Sequence, residues 1–222
     1  MSEPTILIRP ALPDDAPTAA QLLYQTMGRL ADYIFGSEPQ RTVIETITSL
    51  YCSPGKNRLS YRHAWILELE DMPAGILVAY PGSDVHRLDL ETGLSLAGWF
   101  RLPSLARLVW RALSIPGKEA LPGEYYLSNV AVLPGFQGRG LGARLLAFAE
   151  EQARELQITR CSLCVDMDNT SARRLYERTG YHVCHAQFYR QAAERAGKGY
   201  FRMVKHLSPP SHGGGVGQNG SS

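Results

Sequence analysis

The run Gly135-Phe136-Gln137-Gly138-Arg139-Gly140-Leu141-Gly142-Ala143 constrains this chain more than any other segment. It lies between a segment that reads as a strand, Tyr125–Leu133, and one that reads as a long amphipathic helix, Leu141–Leu156. Glycine at a helix start costs roughly 1 kcal/mol of helix propensity per residue, so its repeated use there calls for a reason. The first turn of a helix carries unpaired N–H groups and a partial positive charge. Glycines let an anion come close to those amides. The run therefore reads as a pyrophosphate cradle, with the amides from Gln137 through Gly138, Arg139, Gly140, Leu141 and Gly142 to Ala143 as donors.

The nucleotide class follows from spacing. A Walker A loop needs Gly-x-x-x-x-Gly-Lys-Ser/Thr, and no such string occurs. Gly138-x-Gly140-x-x-Ala143 satisfies the Rossmann fingerprint, and the next strand ends at Asp166. Against a dinucleotide fold, Pro134-Gly135-Phe136-Gln137 separate strand from fingerprint. Only about 55 residues follow Asp166, too few for a second mononucleotide-binding half. An NAD(P)-binding oxidoreductase stands as a weaker alternative.

The rest of the chain supplies a mixed sheet. Strands are expected at Thr5–Arg9, His63–Leu69, Gly75–Tyr80, Tyr125–Leu133, Cys161–Asp166, Tyr181–Phe188 and Gly199–His206. A helix starts at Pro13-Asp14-Asp15, and a second follows the capping box Ser37-Glu38-Pro39-Gln40. Glu70-Asp71-Met72-Pro73-Ala74 joins an antiparallel hairpin. A hairpin meander feeding a βαβ unit implies a mixed α/β fold: a mostly antiparallel, twisted sheet of six to seven strands, helices on both faces. Residues 1–207 form one domain. Residues 81–123 read as an insertion with one short helix around Leu105–Ala112, and 208–222 as a disordered tail of Gly, Ser and Pro.

Composition narrows the function classes. Net charge is +2, from 23 basic and 21 acidic residues, which argues against a nucleic-acid partner. No apolar run reaches membrane-spanning length, and MSEPTILIRP lacks the pattern of a secretory signal. The expected setting is cytoplasmic. Four cysteines do not make a disulfide framework. Cys161 and Cys164 lie three apart on a strand and so face opposite sides, without a His partner at finger spacing, so no metal is expected.

Val130-Ala131-Val132-Leu133-Pro134 followed by Gln137-Gly138-Arg139-Gly140-Leu141-Gly142 resembles the acetyl-CoA signature of the GCN5-related N-acetyltransferases. Asn169-x-x-Ala172-x-x-x-Tyr176-x-x-x-Gly180-Tyr181 resembles that family's second motif, with Tyr181 where Phe is commoner. The order of elements from Thr5 to Leu207 fits a single-domain member of bacterial type. The resemblance implies acetyl-CoA as cosubstrate and acetyl transfer to a primary amine of a small molecule, peptide or protein. It implies that the backbone of Val130, Ala131 and Val132 pairs with the pantetheine arm as an added strand. Asn169 matches a position that contacts the arm, and Tyr176 matches the general acid; Asn169 also reads as a helix N-cap.

The chemistry asks for a base as well. A free alkyl amine has a pKa near about 10.4 and must lose a proton before it attacks. The leaving thiolate, near about 8.5 by analogy with Cys, benefits from a proton donor. Glu124 is the carboxylate candidate, on the same face as Tyr126, Ser128 and Val130 if alternation is strict. The family's other base position falls on Cys164, a poor base. A non-catalytic acyl-CoA-binding module is therefore the alternative. Asp32, Tyr33 and Glu38, with the insertion, are candidates to meet a cationic acceptor. The protein is expected to act as a monomer or homodimer.

Overall fold

The computed structural model describes residues 4–35, 38–53, 55, 57–113, 119–189 and 196–208. The tail from residue 209 and Ser37 of the expected capping box lie outside them. The described elements are β1 (Ile6–Pro10), α1 (Ala16–Met27), α2 (Arg29–Phe35), α3 (Gln40–Cys52), β2 (Ala64–Leu69), β3 (Met72–Pro81), α4 (Val85–Ala97), α5 (Leu102–Leu113), β4 (Tyr125–Val132), α6 (Leu141–Glu155), β5 (Arg160–Asp166), α7 (Thr170–Arg178), β6 (His182–Phe188) and β7 (Gly199–His206). The strands form a seven-stranded sheet in the order β1-β2-β3-β4-β5-β7-β6. Every neighbouring pair is antiparallel except β4 and β5. This is the mixed, mostly antiparallel sheet that the sequence predicts.

Two apolar cores cover the sheet, one on each face. Ile66, Ile76, Val78, Tyr80 and Tyr126 point to the side of α1, α3 and the insertion helices. Leu67, Leu77, Ala79 and Leu127 point to the side of α6 and α7. The central strands bury both faces, which is why their sequences read as nearly continuous apolar runs. In α6, Leu145, Leu146, Ala149 and Ala153 are buried at helical spacing and seat the helix on the second core.

Three local readings change. The hairpin loop expected over residues 70–74 is a tighter turn, because Leu69 pairs with Met72. Glu70 and Asp71 both take positive φ, the geometry of a two-residue primed turn that matches strand twist. Ala74 is taken up by a bulge opposite Leu67 and Glu68. The insertion holds two helices rather than one. Gly93 and the exposed Leu90 and Leu94 blur the apolar stripe of α4, while Leu88 and Leu96 anchor it to the first core. The short α2 also escapes a periodicity reading, since seven residues are too few to establish a repeat.

Candidate functional site

The sheet is parted at its centre. β4 and β5 pair only at Tyr125 with Cys161, Tyr126 with Ser162 and Leu127 with Leu163. Beyond that point β4 continues along β3 as far as Val132, and β5 continues along β7 as far as Asp166. The inner backbone edges of Ser128–Val132 and of the end of β5 are thus left without each other. Burial follows the same break: Tyr125, Tyr126 and Leu127 are buried, and each residue from Ser128 to Val132 is only partly so. An extended ligand with its own N–H and C=O groups fits such an edge by strand addition.

A bulge at Ser128 aims this edge. Val78 pairs with Asn129 but Ala79 pairs with Leu127, so Ser128 is the extra residue. Strict alternation across β4 does not hold as a result. The Ser128 side chain lies beside the Tyr80 hydroxyl, and Asn129 Nδ2 donates to Thr26 Oγ1 of α1 at 2.7 Å. Both therefore face the α1 side with Tyr126, while Val130 and Val132 pack on the α6 side.

The glycine run sits at the open end of the parting. A 3-10 turn at Pro134–Phe136 leads to Gly138 and Gly140, both left-handed, with φ of +77° and +76°. A Cβ on either would meet nothing, so glycine is there for its backbone conformation, and the space beside it is open. Gly140 is the N-cap of α6 and no side chain caps the helix. Its first amides are left for a ligand or solvent. Gly142 has a different reason: a Cβ there would stand 2.9 Å from Leu175 Cδ2, so it permits the close approach of α7. Leu141 is buried beneath the cradle, and Ala143 is partly covered. The Gln137 side chain is engaged, its Nε2 donating to the Val132 carbonyl at 3.0 Å. The exposed Arg139 guanidinium lies over the Phe136 ring, 5.7 Å from its centroid.

The second motif borders the same opening. Asn169 caps α7, its Oδ1 accepting from the Ala172 N–H at 3.1 Å. Its carboxamide NH2 is thereby oriented and exposed. Tyr176 shares the second core with Val130, Val132 and Leu141, and stacks edge-on with Tyr181. Its hydroxyl makes no hydrogen bond among the described residues. Burial pushes its pKa up to about 12, so it stays protonated at neutral pH.

The base candidates lie elsewhere. Glu124 precedes the paired end of β4 and is 1% exposed. It forms an ion pair with Arg202 of β7 and accepts from the Leu121 N–H at 3.0 Å. Burial pushes its pKa up, but the bonds from Arg202 and the Leu121 amide outweigh this and hold it below the usual carboxylate range. A locked, depressed carboxylate at the closed end of the seam is a weak proton acceptor. Cys164 faces the α1 side and Cys161 the α6 side, as their spacing predicts. Burial raises both thiol pKa values, leaving neither reactive as a thiolate. Among the described residues no group of three His, Cys, Asp or Glu could hold a metal ion.

The structure adds a carboxylate that the sequence does not announce. Glu119, from the end of the insertion, stands over the seam on the α1 side. Its backbone carbonyl accepts from Cys164 Sγ at 3.7 Å and from Arg202 Nε at 3.2 Å. Its Oε2 accepts from Tyr126 Oη at 3.2 Å and pairs with Arg58. Arg58 also donates to Tyr80 Oη at 3.0 Å and to Asp89 at 3.1 Å. Arg58 and Glu119 are 61 positions apart in irregular segments, so no local periodicity marks them. On the rim, Arg29 of α2 pairs with Asp168 beside Asn169, and Lys198 joins it at 3.0 Å. These exposed pairs contribute little energy individually. Among the candidate acceptor contacts, Asp32 accepts from Tyr24, and Tyr33 packs with Ala196.

The fold matches an N-acetyltransferase from Staphylococcus aureus Mu50 with a TM-score of 0.68 at 23% identity, over 89% of this chain and 99% of that one. A second solved structure, described as an acetyltransferase, matches with a TM-score of 0.68 at 25% identity, over 91% and 100%. The acetyltransferase (GNAT) family model matches residues 38–181. The chain belongs to that family. Part of it is 36% identical over 62 residues to the aminoalkylphosphonate N-acetyltransferase of Salmonella typhimurium, covering 28% of this chain and 40% of that protein. Another match, 40% identical over 78 residues, is the mycothiol acetyltransferase of Beutenbergia cavernae, covering 34% and 25%. The matched regions span less than half the length of either relative.

Proposed function

We propose that this protein is an acetyl-CoA-dependent N-acetyltransferase that transfers the acetyl group directly to a primary amine in a ternary complex. The observation that carries this reading is the unpaired edge of β4 from Ser128 to Val132, ending at an uncapped helix start lined by Gly138 and Gly140. A pantetheine arm is an amide-bearing strand with a pyrophosphate at one end. It fits edge and cradle together: Val130, Ala131 and Val132 pair with the arm, and the amides of Gln137–Ala143 hold the phosphates. Arg139 adds charge, and the capped Asn169 offers its NH2 to the arm.

The thioester then lies at the bulge, near the point where β4 and β5 separate. Tyr176 serves as acid: its neutral hydroxyl donates to the departing thiolate. Glu124 serves as a structural partner of Arg202. The amine proton leaves through water on the α1 side of the seam, where Ser128 and Asn129 face.

With Glu124 locked on Arg202 and Cys164 held as a thiol, neither expected base position supplies one, and this favours a second reading, an acyl-CoA-binding module without turnover. Two measurements decide. Calorimetry should show acetyl-CoA binding, and thiol release over a panel of amines should show turnover; binding with no turnover on any amine supports the module. Gly140→Asp places a carboxylate against the phosphates in a conformation Asp tolerates. Binding should fall below detection while the fold persists. Unchanged affinity would remove the cradle assignment, and tight NAD(P) binding without CoA binding would restore the oxidoreductase.

A further inference from the structure

We infer that Glu119 is the residue that receives the acceptor, its free carboxylate oxygen binding the amine as an alkylammonium ion. This rests on the acetyltransferase reading above and adds to it the residue that meets the acceptor. Three observations carry it. First is position: Glu119 touches Tyr126 of β4 through its side chain and Cys164 of β5 through its carbonyl. Those residues flank Leu127 and Leu163, the last pair before the strands separate. The α1 side of the seam also carries Ser128 and Asn129, whereas Tyr176 and the cradle belong to the α6 side. An amine approaching from the α1 side meets Glu119 before it meets the thioester.

Second is the asymmetry of the carboxylate. Both of its side-chain bonds, from Arg58 and Tyr126, end on Oε2. Oε1 has no hydrogen-bond partner among the described residues, and the side chain is 32% exposed. A carboxylate held by one oxygen presents the other in a fixed direction, the arrangement a charged donor needs. Third is charge. Arg58 is shared between Glu119 and Asp89, so one cation faces two carboxylates and the group keeps a net negative charge. Arg58 and Tyr126 hold the Glu119 carboxyl ionised despite its partial burial. A net negative group on the acceptor side selects amines that arrive protonated and disfavours neutral or anionic acceptors.

An alkyl primary amine, protonated in solution, therefore engages Glu119, whereas an arylamine, which arrives neutral, does not. The test compares the wild-type protein with Glu119→Gln, using acetyl-CoA and matched alkylamine and arylamine acceptors. The wild type should prefer the alkylamines. In E119Q, KM for them should rise about ten- to a hundredfold, the cost of a lost charged hydrogen bond. The Kd for acetyl-CoA should stay within about twofold, and arylamine turnover should hardly move. Glu119→Asp, which keeps the charge on a shorter stem, should recover part of the loss. Equal loss for both acceptor classes would overturn the inference and leave Glu119 as the neutraliser of Arg58. A wild type that prefers arylamines would overturn it too, without any variant. Failure of acetyl-CoA to bind the wild type would instead sink the acetyltransferase reading.

Discussion

At the residue scale, two side chains that the sequence marks for catalysis separate in the structure. Tyr176 sits in the second core against the open half of β4, with its proton held by burial. A hydroxyl that acts mainly on the departing thiolate is worth more in the transition state than in the ground state. Tyr176→Phe should therefore lower kcat about ten- to a hundredfold with little change in KM for either substrate, read by steady-state thiol release. Unchanged kcat would leave Tyr176 as packing. Glu124 behaves in the opposite way. Removing one partner of a buried ion pair strands the other, at about 3 kcal/mol or more. Glu124→Gln should lower the unfolding free energy by about that amount, measured by urea titration, with kcat per folded molecule within about twofold. The pH dependence has a definite sign. The folded pKa of Glu124 lies below its unfolded value, so its stabilisation is complete above the unfolded carboxylate range. It is lost as pH falls through the lower folded value. E124Q should flatten that acid limb. The glycine and tyrosine motifs were legible because they are contiguous in the chain. Arg58 and Glu119 were not, because their meaning comes from a contact between distant irregular segments.

At the scale of elements, the proposed site is made by a defect in a regular sheet. Alternation, β-branched content and turn residues locate all seven strands and the long helix α6, because each buries a face with a clear period. The same rules cannot see the bulge at Ser128. It inserts one residue without changing the composition of β4, yet it turns Val130 to the side opposite Tyr126. The parting of β4 from β5 is equally silent in either strand's own sequence, since each continues on its outer partner. The glycine-lined start of α6 is the legible counterpart. Its left-handed N-cap demands glycine for conformation, not for space, because a Cβ at Gly140 would meet nothing. Gly140→Ala should then cost only the left-handed penalty, about 1–2 kcal/mol. That is a fall in Tm of a few degrees, about 2–4 °C per kcal/mol in a chain of this size. Acetyl-CoA affinity should be nearly kept, in contrast to Gly140→Asp. A large affinity loss in G140A would mean that the ligand occupies the space a methyl group fills.

At the scale of the whole molecule, the parting divides the sheet into two halves joined at the seam by one short ladder. β1 to β4 lie on one side and β5 to β7 on the other, and β4 meets β5 at three residue pairs. Helix α6, lying on β3, β4 and β5, and the rim pairs from Arg29 to Asp168 bridge the rest. A ligand that adds itself as a strand between the halves supplies the missing ladder and ties them together. Binding to the folded state alone stabilises by RT ln(1 + [L]/Kd), about 2.7 kcal/mol at a hundredfold excess over Kd. Acetyl-CoA at that excess should raise Tm by about 5–10 °C. The gain should be local in hydrogen exchange. Those amides of Ser128–Val132 that point away from β3, and those of the α6 start, should become protected, while amides of β1 and β2, already paired, should change little. Equal concentrations of adenosine 3′,5′-bisphosphate, which carries the nucleotide without the arm, should protect at most the α6 start. Protection of the β4 edge by that fragment, or none there with acetyl-CoA, would show that the seam is not where the arm lies.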